Sequence, residues 1–274
     1  MPYIIIVQTY KYFNKNLRVL KIFTFFSLIF NRLLDKIHFF TYNQAMQKLE
    51  MMPIGYIQTD FKEKFGIPRQ SGRAEHLRAK IIFYPPFNSE EAFREIEGFS
   101  HLWLLFDFSL TKDKGYALTV RPPRLGGNKK VGVFASRSPF RPNHIGLSVV
   151  KLEKVEKDEN GKICLIVLGA DLLDNTPIID VKPYLPLADC ILDATGGYSS
   201  TGENHRLTVR FSERLLSKIP ADKQQGLIEC LADDPRPAYK TDSANYGMKF
   251  DAFNIKFSVE KDILTVTDVE RLYN

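Results

Sequence analysis

The sequence predicts a mainly β protein: a small antiparallel β-barrel followed by a small α+β carboxy-terminal domain. Short β-prone runs recur between turn signals from Pro53 to Gly169, and a single helix pattern interrupts them. The chain also lacks alternating strand–helix units and any G-x-G-x-x-G. Many short strands with one helix suit a closed antiparallel sheet. The missing alternation argues against a parallel dinucleotide-binding sheet.

Each element follows from local pattern. Ile54 to Thr59 and Leu77 to Tyr84 are β-prone runs, and His101 to Phe108 alternates, with Leu102, Leu104, Phe106 and Phe108 on one face. Between them Asn88, with Glu91 three residues on, forms a capping-box pattern that predicts a helix ending at Gly98. A short strand is expected at Val131 to Ala135. Leu147 to Val155, the turn at Glu159-Asn160-Gly161 and Ile163 to Gly169 read as a hairpin. Asp174 to Lys182 places two carboxylates in a turn that runs into a β-prone stretch.

Residues 193–204, DATGGYSSTGEN, are small, polar and glycine-rich, as linkers are. Beyond them His205 to Phe211 predicts a strand, and Ser212 a cap for a short helix carrying Leu215, Leu216 and Ile219. A second helix is expected over Asp222 to Ala232, and a closing hairpin over Phe250 to Val259 and Ile263 to Val269. The expected organisation is an amino-terminal extension (1–50), a barrel (51–192), a linker (193–204) and a carboxy-terminal domain (205–274). The last is small enough that docking on the barrel or on a partner should help to stabilise it.

Composition narrows the function classes. The chain has 274 residues and a net charge of +6, yet residues 1–50 hold seven Lys/Arg against two Asp/Glu, so the remainder is nearly neutral. An acidic partner must therefore be argued from a local patch. Cys164, Cys190 and Cys230 are odd in number and widely spaced, which reads as reduced thiols in a cytoplasmic protein. The five histidines are scattered and no metal-binding spacing occurs, so no metal is expected. Within the amino-terminal extension the apolar run Ile22 to Phe30 is shorter than the ~20 residues that a bilayer span needs. A membrane-surface helix, a targeting segment and a start codon assigned too far upstream all fit it.

The local patch is the segment from Lys114 to Leu152, which carries eight Lys or Arg and no Asp or Glu. Its centre, RPPRLGGNKKVGVFASRSPFRPNHIGLS, contains four prolines and four glycines. Such a segment cannot be a helix and is too rigid for a tail. Fixed loops would hold Arg121, Arg124, Arg137 and Arg141 in a pattern suited to phosphate or another anion. A solvated basic surface is the plainer alternative.

The same segment closely resembles the TsaA-like (TrmO) family of tRNA methyltransferases, whose signature is S/T-R-S-x-F-R-P-N-x-I-G. Ser136, Arg137, Ser138, Phe140, Arg141, Pro142, Asn143, Ile145 and Gly146 match it. Further blocks agree in order: Pro68-Arg69-Gln70, Phe99 to Trp103, Asp174 to Pro177 running on to Asp180 to Tyr184, and Asp234-Pro235-Arg236-Pro237-Ala238-Tyr239. The likeness begins after Met51-Met52, which favours the upstream-start reading of residues 1–50.

The resemblance implies an S-adenosyl-L-methionine-dependent enzyme that methylates N6 of threonylcarbamoyladenosine beside the anticodon of tRNA. It implies a homodimer; the cysteine and histidine patterns add the expectation of a cytoplasmic protein with no metal partner, and no membrane partner is expected. It assigns cofactor contacts to Pro68, Arg69, Gln70, Ser109, Leu110, Arg137, Leu147, Asp174, Asn175, Thr176 and Pro177. The tRNA anticodon loop falls to Arg121, Arg124, Lys129, Lys130, Arg141, Arg236 and Tyr239, where arginine could grip phosphate and tyrosine stack on a base. Without the resemblance, Pro68 to Gln70 reads as an ordinary loop, Leu147 as a barrel-core leucine and Asp174 as a turn residue bonding its own backbone. Two departures stand out: Ser109-Leu110 replaces a polar pair, and Asn175 replaces glycine, though Asn tolerates a left-handed turn. No general base is identifiable. The rival readings are a non-enzymatic RNA-binding barrel and a hydrolase, the latter disfavoured by the lack of a nucleophilic triad or metal cluster.

Overall fold

The computed structural model describes residues 49–122, 125, 127–201, 205–236 and 244–272. The chain divides into compact units Met1–Met51 and Met52–Asn274, and the fold below is that of the second. The expectations for residues 1–48, and those for Arg124 and Tyr239, lie outside the described residues.

The barrel is built from β1 (Gly55–Gln58), β2 (Arg78–Phe83), β3 (His101–Asp107), β6 (Ile145–Lys157), β7 (Ile163–Leu168) and β8 (Thr176–Pro183). They close in the order β1-β2-β7-β6-β3-β8, with every neighbour antiparallel. Alternation fills the interior: Ile57, Ile81, Leu102, Leu104, Leu165, Val167 and Ile178 form one buried cluster. The small strands β4 (Thr119–Val120) and β5 (Val131–Gly132) pair outside the barrel.

Beyond the short helix α1 (Pro186–Asp189), a four-stranded sheet of order β10-β11-β12-β9 follows. It comprises β9 (Thr208–Arg210), β10 (Asn245–Phe250), β11 (Phe253–Glu260) and β12 (Ile263–Arg271), with helices α2 (Glu213–Leu216) and α3 (Ala221–Ala232). The strand β9 joins β12 in parallel; the other pairs are antiparallel. Its core unites Leu227, Leu231, Met248, Phe250, Ile255 and Phe257 with Phe61, Ala74 and Leu77 from the β1–β2 connection. At the contact Gly226 of α3 lies so close that an added Cβ would stand 3.0 Å from the His76 carbonyl oxygen. Among the described residues no helix is long and apolar enough to cross a membrane.

The fold class is as expected, but three local expectations are not met. No α-helix starts at Asn88; instead Glu90–Phe93 and Ile96–Gly98 are 3-10 turns separated by Glu95 at φ 66°. Asn88 does not cap, because its side chain reaches the Phe83 carbonyl at 3.4 Å. Phe93, Ile96 and Phe99, three apart, pack on the barrel, and that is the 3-10 period. The Val131–Ala135 strand ends at Gly132, and residues 133–135 form a 3-10 turn that buries Val133. The run expected to start at Phe250 is divided by a turn at Asp251, so the terminal hairpin is preceded by another strand, β10.

Candidate functional site

The strand registers gather one set of strand ends: the close of β1, β3 and β7 and the start of β2, β6 and β8. The connections at that end carry the residues expected to meet a cofactor. They are the 59–77 connection, the residues after β3, the loops leading into β6, and the turn between β7 and β8. Ladder pairing thus brings together segments that are far apart in sequence.

The 68–72 loop is fixed from beneath. The Gly72 N–H donates to the Gly169 carbonyl at 2.9 Å, and Gly72 and Gly169 both have positive φ; a Cβ added at 169 would stand a tight 3.3 Å from the Gly72 backbone. Gln70 accepts a hydrogen bond on Oε1 from Arg137 Nη1 at 3.0 Å, and its own amide nitrogen donates to the Arg69 carbonyl at 2.7 Å. Gln70 and Arg137 are therefore brought together across 67 positions of sequence. The Arg69 guanidinium turns elsewhere, donating to the carbonyls of Asp234 at 3.0 Å and Arg236 at 3.2 Å.

Leu147 is 46% exposed on β6, opposite Leu105, so it is not a core leucine. Its neighbour Ser148 points inward and donates to Asp171 at 2.6 Å. Burial is the strongest influence on the Asp171 carboxyl and raises it above the usual aspartate range. The Ser148 hydroxyl, the backbone N–H groups of Asp171 and Ser71, and the Arg137 charge pull the other way without cancelling that rise. Asp171 thus links the 68–72 loop, Arg137 and β6, although the sequence reading did not single it out. Its one sequence signal is an acidic residue closing the apolar run Ile163 to Ala170.

In the next turn Asp174 is consumed by structure. Its carboxylate accepts from Thr59 N–H at 2.9 Å and Asn175 Nδ2 at 2.8 Å, and pairs with Lys62 Nζ at 2.5 Å. Asn175 adopts φ 60° and stays exposed, and the Thr176 hydroxyl donates to the Leu173 carbonyl. Pro177 lies within β8 opposite Tyr56. The turn offers a ligand its backbone and Asn175 more readily than the Asp174 carboxylate.

After β3, Ser109 and Leu110 open a 3-10 turn in which Leu110 is 59% exposed and Thr111 is buried. In the basic segment Arg121, Lys129, Lys130 and Arg137 are exposed. Arg141 differs: it donates to the carbonyls of Val133 (3.2 Å) and Ser136 (2.6 Å) and lies over the Phe134 ring. Its guanidinium holds the loop in shape. Arg236 forms a two-pronged contact with Asp234, each bond 2.9 Å.

Comparison with known proteins identifies the family. Residues 56–190 match the tRNA-methyltransferase O N-terminal domain, and residues 204–272 match the TrmO C-terminal domain. The chain belongs to the TrmO family. It is 40% identical over 224 residues to the tRNA (adenine(37)-N6)-methyltransferase of Escherichia coli, covering 78% of this chain and 94% of that protein. It is 41% identical over 172 residues to the enzyme of the same name from Eikenella corrodens, covering 62% and 97%. A Pseudomonas aeruginosa protein assigned as an S-adenosylmethionine-dependent methyltransferase is 42% identical over 227 residues, covering 79% and 96%. The crystal structure of TrmO from Pseudomonas aeruginosa superimposes with a TM-score of 0.65 at 34% identity, covering 82% of this chain and all (100%) of that one.

The donor set fits what a TrmO-type cofactor presents. A guanidinium (Arg137) and a carboxamide (Gln70) suit a carboxylate and a heterocycle edge, and exposed Leu147 offers an apolar contact. The Asp171 carboxylate suits a nearby cation. Among the described residues no His/Cys/Asp/Glu group is arranged to hold a metal ion.

Proposed function

We propose that this protein is an S-adenosyl-L-methionine-dependent tRNA methyltransferase acting on N6 of the adenosine beside the anticodon, in its threonylcarbamoyl form. The observation that carries this reading is the junction of Gln70, Arg137, Ser148 and Asp171 at one barrel end. The coarser part, a tRNA adenine-N6 methyltransferase, is also what the E. coli and Eikenella relatives are named for. We further propose that it works as a cytoplasmic homodimer.

When bound, S-adenosylmethionine supplies an electrophilic methyl group on a sulfonium sulfur for in-line displacement by N6. The protein's part is alignment and field. Arg137 and Gln70, locked to each other, orient a ligand against the barrel end. Asp171 places negative charge near a cation, and Leu147 and Leu110 exclude water. Arg121, Lys129 and Lys130 meet the anticodon-loop backbone as exposed charges, and Tyr116 and Phe134 are exposed rings of the same segment. The Arg236 side chain is spent on the Asp234 carboxylate, so its part is to shape the 233–236 turn. No residue is assigned as the acceptor of the N6 proton.

The test uses the full chain, methyl-labelled S-adenosylmethionine, and tRNA with or without the threonylcarbamoyl group. Label entering the modified tRNA alone is expected. Cofactor binding with no transfer to either tRNA would mean another acceptor. RNA binding without cofactor binding would favour the non-enzymatic RNA-binding barrel instead.

A further inference from the structure

The carboxylate of Asp233 is 4% exposed, yet it lies at the C-terminal end of α3, where the helix dipole disfavours negative charge. A charge buried there needs compensation, and both compensating groups come from the β1–β2 connection. Arg73 pairs with Asp233 through Nε, and the Arg69 backbone N–H donates to Asp233 Oδ2 at 3.2 Å. The contact continues outward. Asp234, at φ 52°, turns the chain so that its carbonyl and that of Arg236 both accept from the Arg69 guanidinium. Arg236 fixes that turn by gripping the Asp234 carboxylate.

Four groups of the carboxy-terminal domain therefore hold residues 69 and 73 on either side of Gln70: the Asp233 carboxylate, the carbonyls of Asp234 and Arg236, and the Arg206 guanidinium, which donates to the Arg73 carbonyl. Gln70 in turn accepts from Arg137. The Arg69 side chain is committed to the 233–236 turn, so its contribution to a ligand at the barrel end passes through the loop it fixes.

We propose that Asp233 is a positioning residue for cofactor binding, latching the 68–73 loop to the end of α3 so that Gln70 meets Arg137. The proposal rests on the reading of that loop as the S-adenosylmethionine site. A consequence follows from linkage: a partner that grips the 233–236 turn and a cofactor in the loop must change each other's affinity by the same factor. The segment expected to face tRNA is thereby wired to the methyl-donor site.

The test compares the full-length wild type with Asp233→Asn, which keeps an acceptor for Arg69 N–H but removes the charge facing Arg73. In the cofactor-free state, amide hydrogen exchange should accelerate across residues 66–73 while β3 and β6 exchange as in the wild type. In calorimetric titration the dissociation constant for S-adenosylmethionine should rise on the order of tenfold, the size of a lost charged hydrogen bond. The rate at saturating cofactor should stay within about twofold, because no reacting atom is touched. A merely structural role would lower the melting temperature and leave loop exchange and affinity unchanged, and that outcome overturns the proposal. Should Asp233→Asn exchange rapidly everywhere, Arg73→Gln decides instead: it removes the ion pair from the loop side and leaves α3 intact. Wild-type loop exchange and affinity in that variant would equally overturn the latch. Loss of binding by the wild type itself would defeat the cofactor reading, while the exchange comparison would still judge the latch.

Discussion

Two glycine-containing segments meet at the same end of the barrel, and they are held in opposite ways. Residues 66–73 hang from the core: Ala74 and Leu77 are buried in it, Gly72 bonds to Gly169, and Arg69 bonds to the carboxy-terminal domain. Residues 115–144 hold mainly to themselves. Arg141 bonds to Val133 and Ser136, Ala117 N–H to Phe140, and Val133 N–H to Leu118. Val133 is the one buried residue among those described in that segment. The contrast matches the size of what each would meet. A small ligand needs a few groups fixed to within an ångström or so, and only the core supplies that stiffness. A polyanion is met by charges spread over a surface, where self-supported loops suffice.

The sharpest way to break this contrast is Arg137→Ala, because Arg137 belongs to the second segment but is bonded into the first. Cofactor affinity should fall by about tenfold or more, and by more than in Arg236→Ala, whose backbone carbonyl still serves Arg69. Equal losses in a binding titration would erase the division between cofactor and tRNA roles. Next in size is Gly146→Ala, where the basic segment enters β6. The added Cβ would stand 2.2 Å from atoms of the Phe106 ring, so repacking should cost about 1–3 kcal/mol. A melting temperature equal to wild type would show that the junction has slack.

Asp171→Asn should separate stability from binding. Because burial raises this carboxyl in the folded state, the native protein binds its proton more tightly than the unfolded chain does. Stability from this group is thus greatest at low pH and lost as pH rises through the raised value. Asn removes that loss, so the variant should melt higher than wild type at pH 7. The gain should vanish below the ordinary carboxylate range, about pH 4. Cofactor should bind the variant more weakly throughout. A variant that melts lower at pH 7 would contradict the burial argument. The smallest effects belong to Lys129→Ala and Lys130→Ala. Each should lower the salt slope of tRNA binding by about 1 and leave cofactor affinity untouched; an unchanged slope would remove that lysine from the RNA surface.

What could be read from the sequence was what neighbours in sequence decide. The alternation of Leu102, Leu104 and Phe106 announces a barrel strand, and Glu159-Asn160-Gly161 announces the β6–β7 turn, with Gly161 at φ 73°. The misread helix at residues 88–98 shows a local pattern overruled, since Asn88 serves the Phe83 carbonyl in place of a helix end. Asp171 and Asp233 were not legible because their meaning comes from distant partners. Asp233 meets Arg69 across 164 positions, and no spacing rule reaches so far. The commitment of Asp174 to Thr59 and Lys62 was hidden for the same reason.

The placing of Phe61, Ala74 and Leu77 in the second core has a bearing on how the protein can be taken apart. A protease that nicked the glycine-rich stretch 193–204 would cut the chain without freeing two halves, since that core is made by both. The fragments should stay paired through a sizing column until denaturant is added. Expressed alone, the leading fragment would carry an oily scar where its mate belongs, and it should clump.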